Sequence, residues 1–448
     1  MKRIRIGNGC GFWGDNIDAP ARLADAGRLD YLTLEYLAEL TMSILARLRQ
    51  RDPAAGYATD FTDVLPRLAP HLATGMKVVT NAGGMNPRAC ALKARELLAT
   101  AGLSQLKVGV VAGDDLMPNL DALLASGHPL NHLDTGEPLS VVRARVVSAN
   151  AYLGSAPIAD ALRRGAAVVV TGRVADAALT VGPCLHEFGW SETDWDRLCA
   201  GTVAGHLIEC GAQATGGLWI NADESTHLES VGYPVAEVAE DGTFTLTKPP
   251  GTGGVVNLET VAEQLLYEVA DPARYFTPDV VADFTTPACS QTGPDAVSCV
   301  GAKGHPATDS YKVSVAYRDG FAAAGMLVIP GPNAAAKARA SGRILLDRLR
   351  QSGVSVAHSL AEALGAGDCV PGVGRAADPP EVVLRVAVRD PNRANVERFA
   401  KEFAPLVTGG FPGTTGYTTG RPQVREVYAY WPALLAKSAV APTVEVLD

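Results

Sequence analysis

Arg3-Ile4-Arg5-Ile6-Gly7-Asn8-Gly9-Cys10-Gly11-Phe12-Trp13-Gly14-Asp15 decides how the rest of the chain is read. Its first residues alternate as a short strand does, and four glycines, two aromatics and an acid then carry the chain to a helix starting near Asn16 or Asp18. The same order recurs downstream: an apolar strand, a cluster of Gly, Asn, Asp or Thr at its carboxyl end, then a helix. Thr80-Asn81-Ala82-Gly83-Gly84, Ala112-Gly113-Asp114-Asp115, Ser148-Ala149-Asn150 and Thr171-Gly172-Arg173-Val174-Ala175-Asp176 are such clusters. In open α/β sheets the ligand crevice lies outside the carboxyl ends of the strands. The clusters are therefore expected to converge on one site, with the opening run as its floor.

Strands are expected near 3–6, 30–34, 77–79, 107–111, 143–147 and 166–170, with helices between them. Glu35 and Glu39 are four apart and would share a face of a helix over 36–50. Asn86 and Pro87 read as the cap and first position of a helix over 88–101. The strands are rich in Val and Ile with little alternation, as in parallel strands covered on both faces. The expected architecture is α/β, a three-layer sandwich with a mostly parallel sheet over residues 1–300. Beyond it, 311–317, Arg318-Asp319-Gly320 and 321–329 read as an antiparallel hairpin. Helix 334–350, strand 382–388, helix 392–403 and strand 422–430 follow, a smaller α+β module over 301–448 packed on the first.

Composition narrows the class. Apolar residues make up 47% and charged residues 19%, the balance of a soluble globular protein. A net charge of −9 without a basic run argues against nucleic acid and against a polybasic membrane patch. No uninterrupted apolar stretch of about 18 residues exists to span a bilayer, and the N-terminus enters a strand without a signal-peptide core. Eight scattered cysteines without a CxxC pair read as reduced thiols of a cytoplasmic protein, neither a disulfide frame nor a zinc knuckle. The histidines are dispersed, so zinc is not expected. A large cytoplasmic α/β protein is expected to be a homo-oligomer.

Each chemical motif has a bland reading beside the sharp one. Gly9 to Gly14 satisfies G-x-G-x-x-G after a strand, and Glu35 ends the second strand, where a ribose-binding acid would lie. The helix, however, starts after Gly14; Phe12 and Trp13 would crowd a cofactor, and Asp15 would repel a pyrophosphate. The alternatives are a glycine-lined pocket wall with Trp13 over the ligand, or turn chemistry alone. Asp114-Asp115 reads as a magnesium or general-base pair, or as a helix cap; no metal is assigned. Arg173 and Asp176 read as a clamp for an anionic group or as a surface ion pair. Glu209-Cys210-Gly211-Ala212-Gln213 is the most enzyme-like cluster, with Glu209 as general acid or base and Cys210 as thiol or packing residue. Lys248 to Gly254 is a loop over the site, with Thr252 facing an anion or carbonyl. The catalytic candidates are Glu209, Asp115 and Cys210. The ligand wall is Asn8, Gly9, Trp13, Asp15, Glu35, Asn81, Gly83, Gly84, Asp114, Asn150, Arg173, Asp176, Gln213, Thr215 and Thr252.

Together the opening glycine run, Thr80 to Pro87, Thr171 to Asp176, Glu209 to Gly217, Lys248 to Gly254, Leu265-Leu266-Tyr267-Glu268 and Tyr275-Phe276-Thr277-Pro278-Asp279-Val280 resemble the acyclic terpene utilisation AtuA family. The resemblance spans nearly the whole chain. It implies a cytoplasmic protein linked to catabolism of branched acyl-CoA intermediates from terpenols, and it implies no settled reaction or catalytic residues. Many relatives carry a further small α+β domain at the C-terminus, so a separate small subunit of that kind is an expected partner. Three functions follow as expectations. The first is a hydratase or lyase acting on a branched acyl-CoA or related carboxylic acid, with no cofactor beyond the CoA thioester. The others are a nicotinamide-dependent oxidoreductase and a non-catalytic subunit of an acyl-CoA-processing complex.

Overall fold

In the computed structural model, which describes every residue except 39, 371, 373–378, 417 and 418, the opening run forms strand β1 (Arg3–Asn8) and leads to the helix Ala19–Gly27. Ile4 and Ile6 are buried while Arg3 is exposed, so the alternation turns the isoleucines into the core. The βα grammar continues through β2 (Tyr31–Leu34), β3 (Lys77–Thr80), β4 (Lys107–Ala112), β5 (Val146–Ala151) and β6 (Ala166–Thr171). Glu39 lies outside the described residues, and Glu35 precedes the helix Thr41–Arg51 instead of sitting on it.

A ten-stranded mixed sheet organises this part of the chain. After β7 (Val235–Ala239) and β8 (Phe244–Thr247) are added, its order is Ala288–Gly293, Ala296–Val300, β8, β7, β1, β2, β3, β6, β4 and Thr443–Leu447. Only the central five, β1, β2, β3, β6 and β4, run parallel. Every other neighbour pairs antiparallel, which corrects the expectation of a mostly parallel sheet. β7 lies antiparallel on β1 with Ile6 opposite Ala236, the turn at Asp241-Gly242 folds β8 back antiparallel on β7, and Thr443–Leu447 returns to lie antiparallel on β4 at the other edge. β5 stands outside this order, its Asn150 bridging Asp115.

The reading of all cysteines as reduced thiols is also corrected. Ala288–Gly293 and Ala296–Val300 form a hairpin that sets Cys289 directly opposite Cys299, and the two are disulfide-bonded. The other six cysteines are free.

The chain divides into two units, Met1–Ala316 with Tyr430–Asp448, and Tyr317–Ala429. In the second, the helices Ala334–Gln351 and Arg393–Ala400 and the strands His358–Leu364 and Glu381–Asp390 bury Leu345, Leu384, Val386, Phe399 and Phe403 in one core. The expected hairpin at Asp319-Gly320 is absent: Ser310–Pro330 is one continuous strand. Gly320 serves a different purpose there. Its φ is +89°, and a Cβ would lie 2.7 Å from the carbonyl oxygen of Asp390, so the glycine admits a close backbone approach.

No described helix is long and apolar enough to cross a membrane. Leu32 sits fully buried in the core under the central strands. Its truncation in Leu32→Ala is expected to cost about 2–5 kcal/mol, read from the denaturant midpoint. An unchanged midpoint would contradict this placement of the core.

Candidate active site

Because β1, β2, β3, β6 and β4 are parallel, their carboxyl ends face one side, and the next residues of each project there: Glu35 after β2, Asn81 after β3, Asp114 after β4 and Arg173 after β6. The helix Trp195–Glu209 brings its last residue to the same side. Asn8 fixes that helix end to β1. Its carboxamide donates to the carbonyls of Cys10 (3.0 Å), Ile208 (2.7 Å) and Glu209 (2.9 Å) and accepts from Thr33 Oγ1 (3.0 Å). At Gly11 a Cβ would lie 2.8 Å from the carbonyl carbon of Cys210. Glycine is what lets the two loops touch.

Between them lies a cavity of about 500 Å³ lined by Asp15, Glu35, Asp176, Glu209, Cys210 and Gln213 from the sequence reading. Phe12, Leu218, Tyr233, Tyr267 and Glu268 also line it, and the sequence reading did not assign them to the site. Glu268 carried a signal within Leu265-Leu266-Tyr267-Glu268; it adopts φ +59°, rare for a side-chain-bearing residue.

Glu35 is 4% exposed. Its Oε1 accepts from the Leu37 N–H (2.8 Å) and from the Asn81 carboxamide, while Oε2 is buried without a hydrogen-bond partner. Burial pushes its pKa up to about 7 against the pull of Arg173, Asn81 and Leu37, and the charge of Glu209 pushes the same way.

Glu209 forms a unit with His206, which lies one helical turn earlier and is buried. His206 Nε2 donates to the Gln264 carbonyl (2.8 Å), and Nδ1 lies 3.1 Å from Glu209 Oε1. With the Nε2 proton committed, the short Nδ1–carboxylate contact needs a second proton, which the two groups share. Burial opposes the imidazolium, but the hydrogen bond and charge of Glu209 outweigh it and raise the His206 pKa. Glu209 Oε2 is left buried without a partner.

Burial pushes the Cys210 thiol up to about 12, with the Glu209 charge adding to it, so the sulfur stays protonated and poorly nucleophilic. Arg173 is buried, neither a surface pair nor a free clamp. Its Nε donates to the Val174 carbonyl (2.9 Å), Nη1 to the Leu37 carbonyl (2.6 Å) and Nη2 to Asp176. Asp114 is a clasp: its Oδ2 accepts from the Arg173 N–H (2.8 Å) and Asn150 Nδ2 (2.8 Å), and burial lifts its pKa to about 6.

Apart from Asp15, the remaining candidates do not line this cavity. Asp115 pairs with Arg49 (3.2 Å) and lines a separate hollow of about 300 Å³ with Met85 and Val147. Trp13 points its indole N–H at Asp60 (3.0 Å), so Phe12 is the aromatic of the run that lines the cavity. Thr252 lines a third hollow and donates to the Pro249 carbonyl (2.6 Å); Thr215 donates to the Ala212 carbonyl (2.9 Å). Gly9, Gly83 and Gly84 pack against Pro20, Pro87 and Leu45. Asp15 accepts from the Gly11 N–H (2.8 Å) and the Tyr233 hydroxyl (2.6 Å). Among the described residues, no group of three or more His, Cys, Asp and Glu side chains is arranged to hold a metal ion.

A family model described as acyclic terpene utilisation family protein AtuA matches residues 4–446. Comparisons with curated proteins and with solved structures gave no match.

Glu35 generates a pH test. Its folded pKa of about 7 lies above the ordinary 4.5, so the fold favours the protonated form. That contribution is present in full below pH 4.5 and is lost as pH rises through 7. Wild-type protein is therefore expected to lose stability over this interval relative to Glu35→Gln, whose amide stays neutral, in urea midpoints measured at each pH. Parallel curves for the two proteins would contradict the shift.

Proposed function

The chain belongs to the acyclic terpene utilisation AtuA family, and from that premise we propose that it is a catabolic enzyme adding water to, or removing it from, a branched acyl substrate. One observation carries the reading: Glu35 and Glu209 line the same cavity, and each keeps one buried oxygen without a protein partner. Dehydration and hydration need one group that gives a proton and one that takes it. The surroundings of the two carboxyls divide those roles. Glu35, held near pH 7 by burial, is the acid; Glu209, backed by the raised His206, is the base.

The site also bears on the substrate. Arg173 is committed to Leu37, Val174 and Asp176, so it no longer supports an anionic clamp, and a thioester suits the cavity better than a free carboxylate. The nicotinamide alternative finds little support, because the Gly11 N–H is taken by Asp15 and Gly9 is filled against Pro20. On the same reading the protein works in the cytoplasm as a homo-oligomer, with a small α+β subunit as a partner.

The test is mass-spectrometric detection of ¹⁸O incorporation from labelled water into a methyl-branched unsaturated acyl thioester. Glu209→Gln and Glu35→Gln are each expected to slow incorporation by about 10²–10⁴-fold, while Cys210→Ala retains it. Undiminished incorporation in Glu209→Gln would remove that residue from the mechanism.

A further inference from the structure

We propose that the cavity stabilises positive charge on a substrate carbon, so that water is exchanged through a tertiary carbocation on a branched alkene or tertiary alcohol and not through an enolate. The inference rests on the acid and base roles given to Glu35 and Glu209.

Five carboxyl side chains line the cavity, Asp15, Glu35, Asp176, Glu209 and Glu268, and among the described residues no Lys or Arg lines it. Glu35 is 4% exposed and lines that space, and its Oε2 is buried with no hydrogen-bond partner in the protein. Phe12, Tyr233 and Tyr267 belong to the same lining, and aromatic faces attract cations. An enolate calls for N–H donors or a cation at the developing oxyanion. Here the Gly11 N–H goes to Asp15 (2.8 Å), and the guanidinium of Arg173 is turned to two carbonyls and Asp176.

The step balances with these groups alone. The carboxylic acid of Glu35 protonates the less substituted alkene carbon: its O–H bond breaks, and the π pair forms the C–H bond. Charge is left on the tertiary carbon. A water lone pair forms the C–O bond there, and the surplus water proton passes to the Glu209 carboxylate. Alkene and water have become a tertiary alcohol, and one proton returned through solvent from Glu209 to Glu35 resets the pair. Dehydration runs the same steps backwards.

The test is calorimetric titration of the full chain with three probes sharing one branched tail: dimethyl(hexyl)ammonium, its alcohol isostere dimethyl(hexyl)methanol, and dimethyl(hexyl)acetate. The ammonium ion, which places its charge where the carbocation would form, is expected to bind about tenfold tighter than the alcohol, with the carboxylate weakest. Glu268→Gln, an exposed change compatible with folding, should narrow the ammonium advantage about threefold. A carboxylate bound as tightly as the ammonium ion, or no binding of any probe, overturns the proposal. Glu209-dependent ¹⁸O incorporation without an ammonium preference would sink the carbocation and leave the hydratase reading standing. An ammonium preference alongside full incorporation in Glu209→Gln would uphold the cation site and remove Glu209 as base.

Discussion

The buried guanidinium of Arg173 is the interaction on which the carboxyl end of the central sheet depends. Its side chain donates to Leu37, Val174 and Asp176, its backbone N–H donates to Asp114, and its charge opposes the rise in the Glu35 pKa. The ring of Tyr152 lies 4.3 Å from the guanidinium carbon. A charge removed from water this completely is tolerated only where hydrogen bonds and opposite charge replace solvent. One residue after β6 thus organises the ends of three strands and fixes how negative the cavity beside it is.

That arrangement explains why two carboxyls of the same chemical type can act differently. Glu35 lies at a strand end with Asn81 and Leu37 on one oxygen and no partner for the other, so burial dominates. Glu209 lies at a helix end with a histidine on one oxygen. The sheet supplies the acid and the helix supplies the base, and Asn8 holds the two elements together.

Much of this was legible in the residues. Repeated strand, polar cluster and helix gave the central parallel strands, the carboxyl-end rule pointed to Asp15, Glu35 and Asp176, and the acid, thiol and amide grouped at 209–213 pointed to Glu209; all four line one cavity. What escaped depends on contacts between residues far apart in the chain. The Thr443–Leu447 strand returns to pair with β4, and nothing local marks that. Cys289 and Cys299 carry no spacing motif and meet only because a hairpin aligns them. Asp319-Gly320 has turn chemistry, yet its glycine answers to the neighbouring Asp390 backbone. Asp114 and Asp115 look equivalent in sequence, and burial separates them into a clasp and an Arg49 partner in another hollow. Tyr233, Tyr267 and Glu268 reach the cavity from segments with no strand-end signal, so periodicity had no means of selecting them.

The central claim is that burial keeps Glu35 protonated far above the ordinary carboxylate range, up to about pH 7, so that it can give up a proton beside Glu209. Infrared difference spectra of wild type against Glu35→Gln, recorded on either side of pH 7, test this most directly. The account predicts a protonated-carboxyl C=O band assigned to Glu35 that is present below pH 7 and fades as pH rises through it. Identical carboxyl spectra for the two proteins at pH 6, already well above the ordinary carboxylate value of 4.5, would show that Glu35 is ionised like any exposed glutamate and would contradict the account.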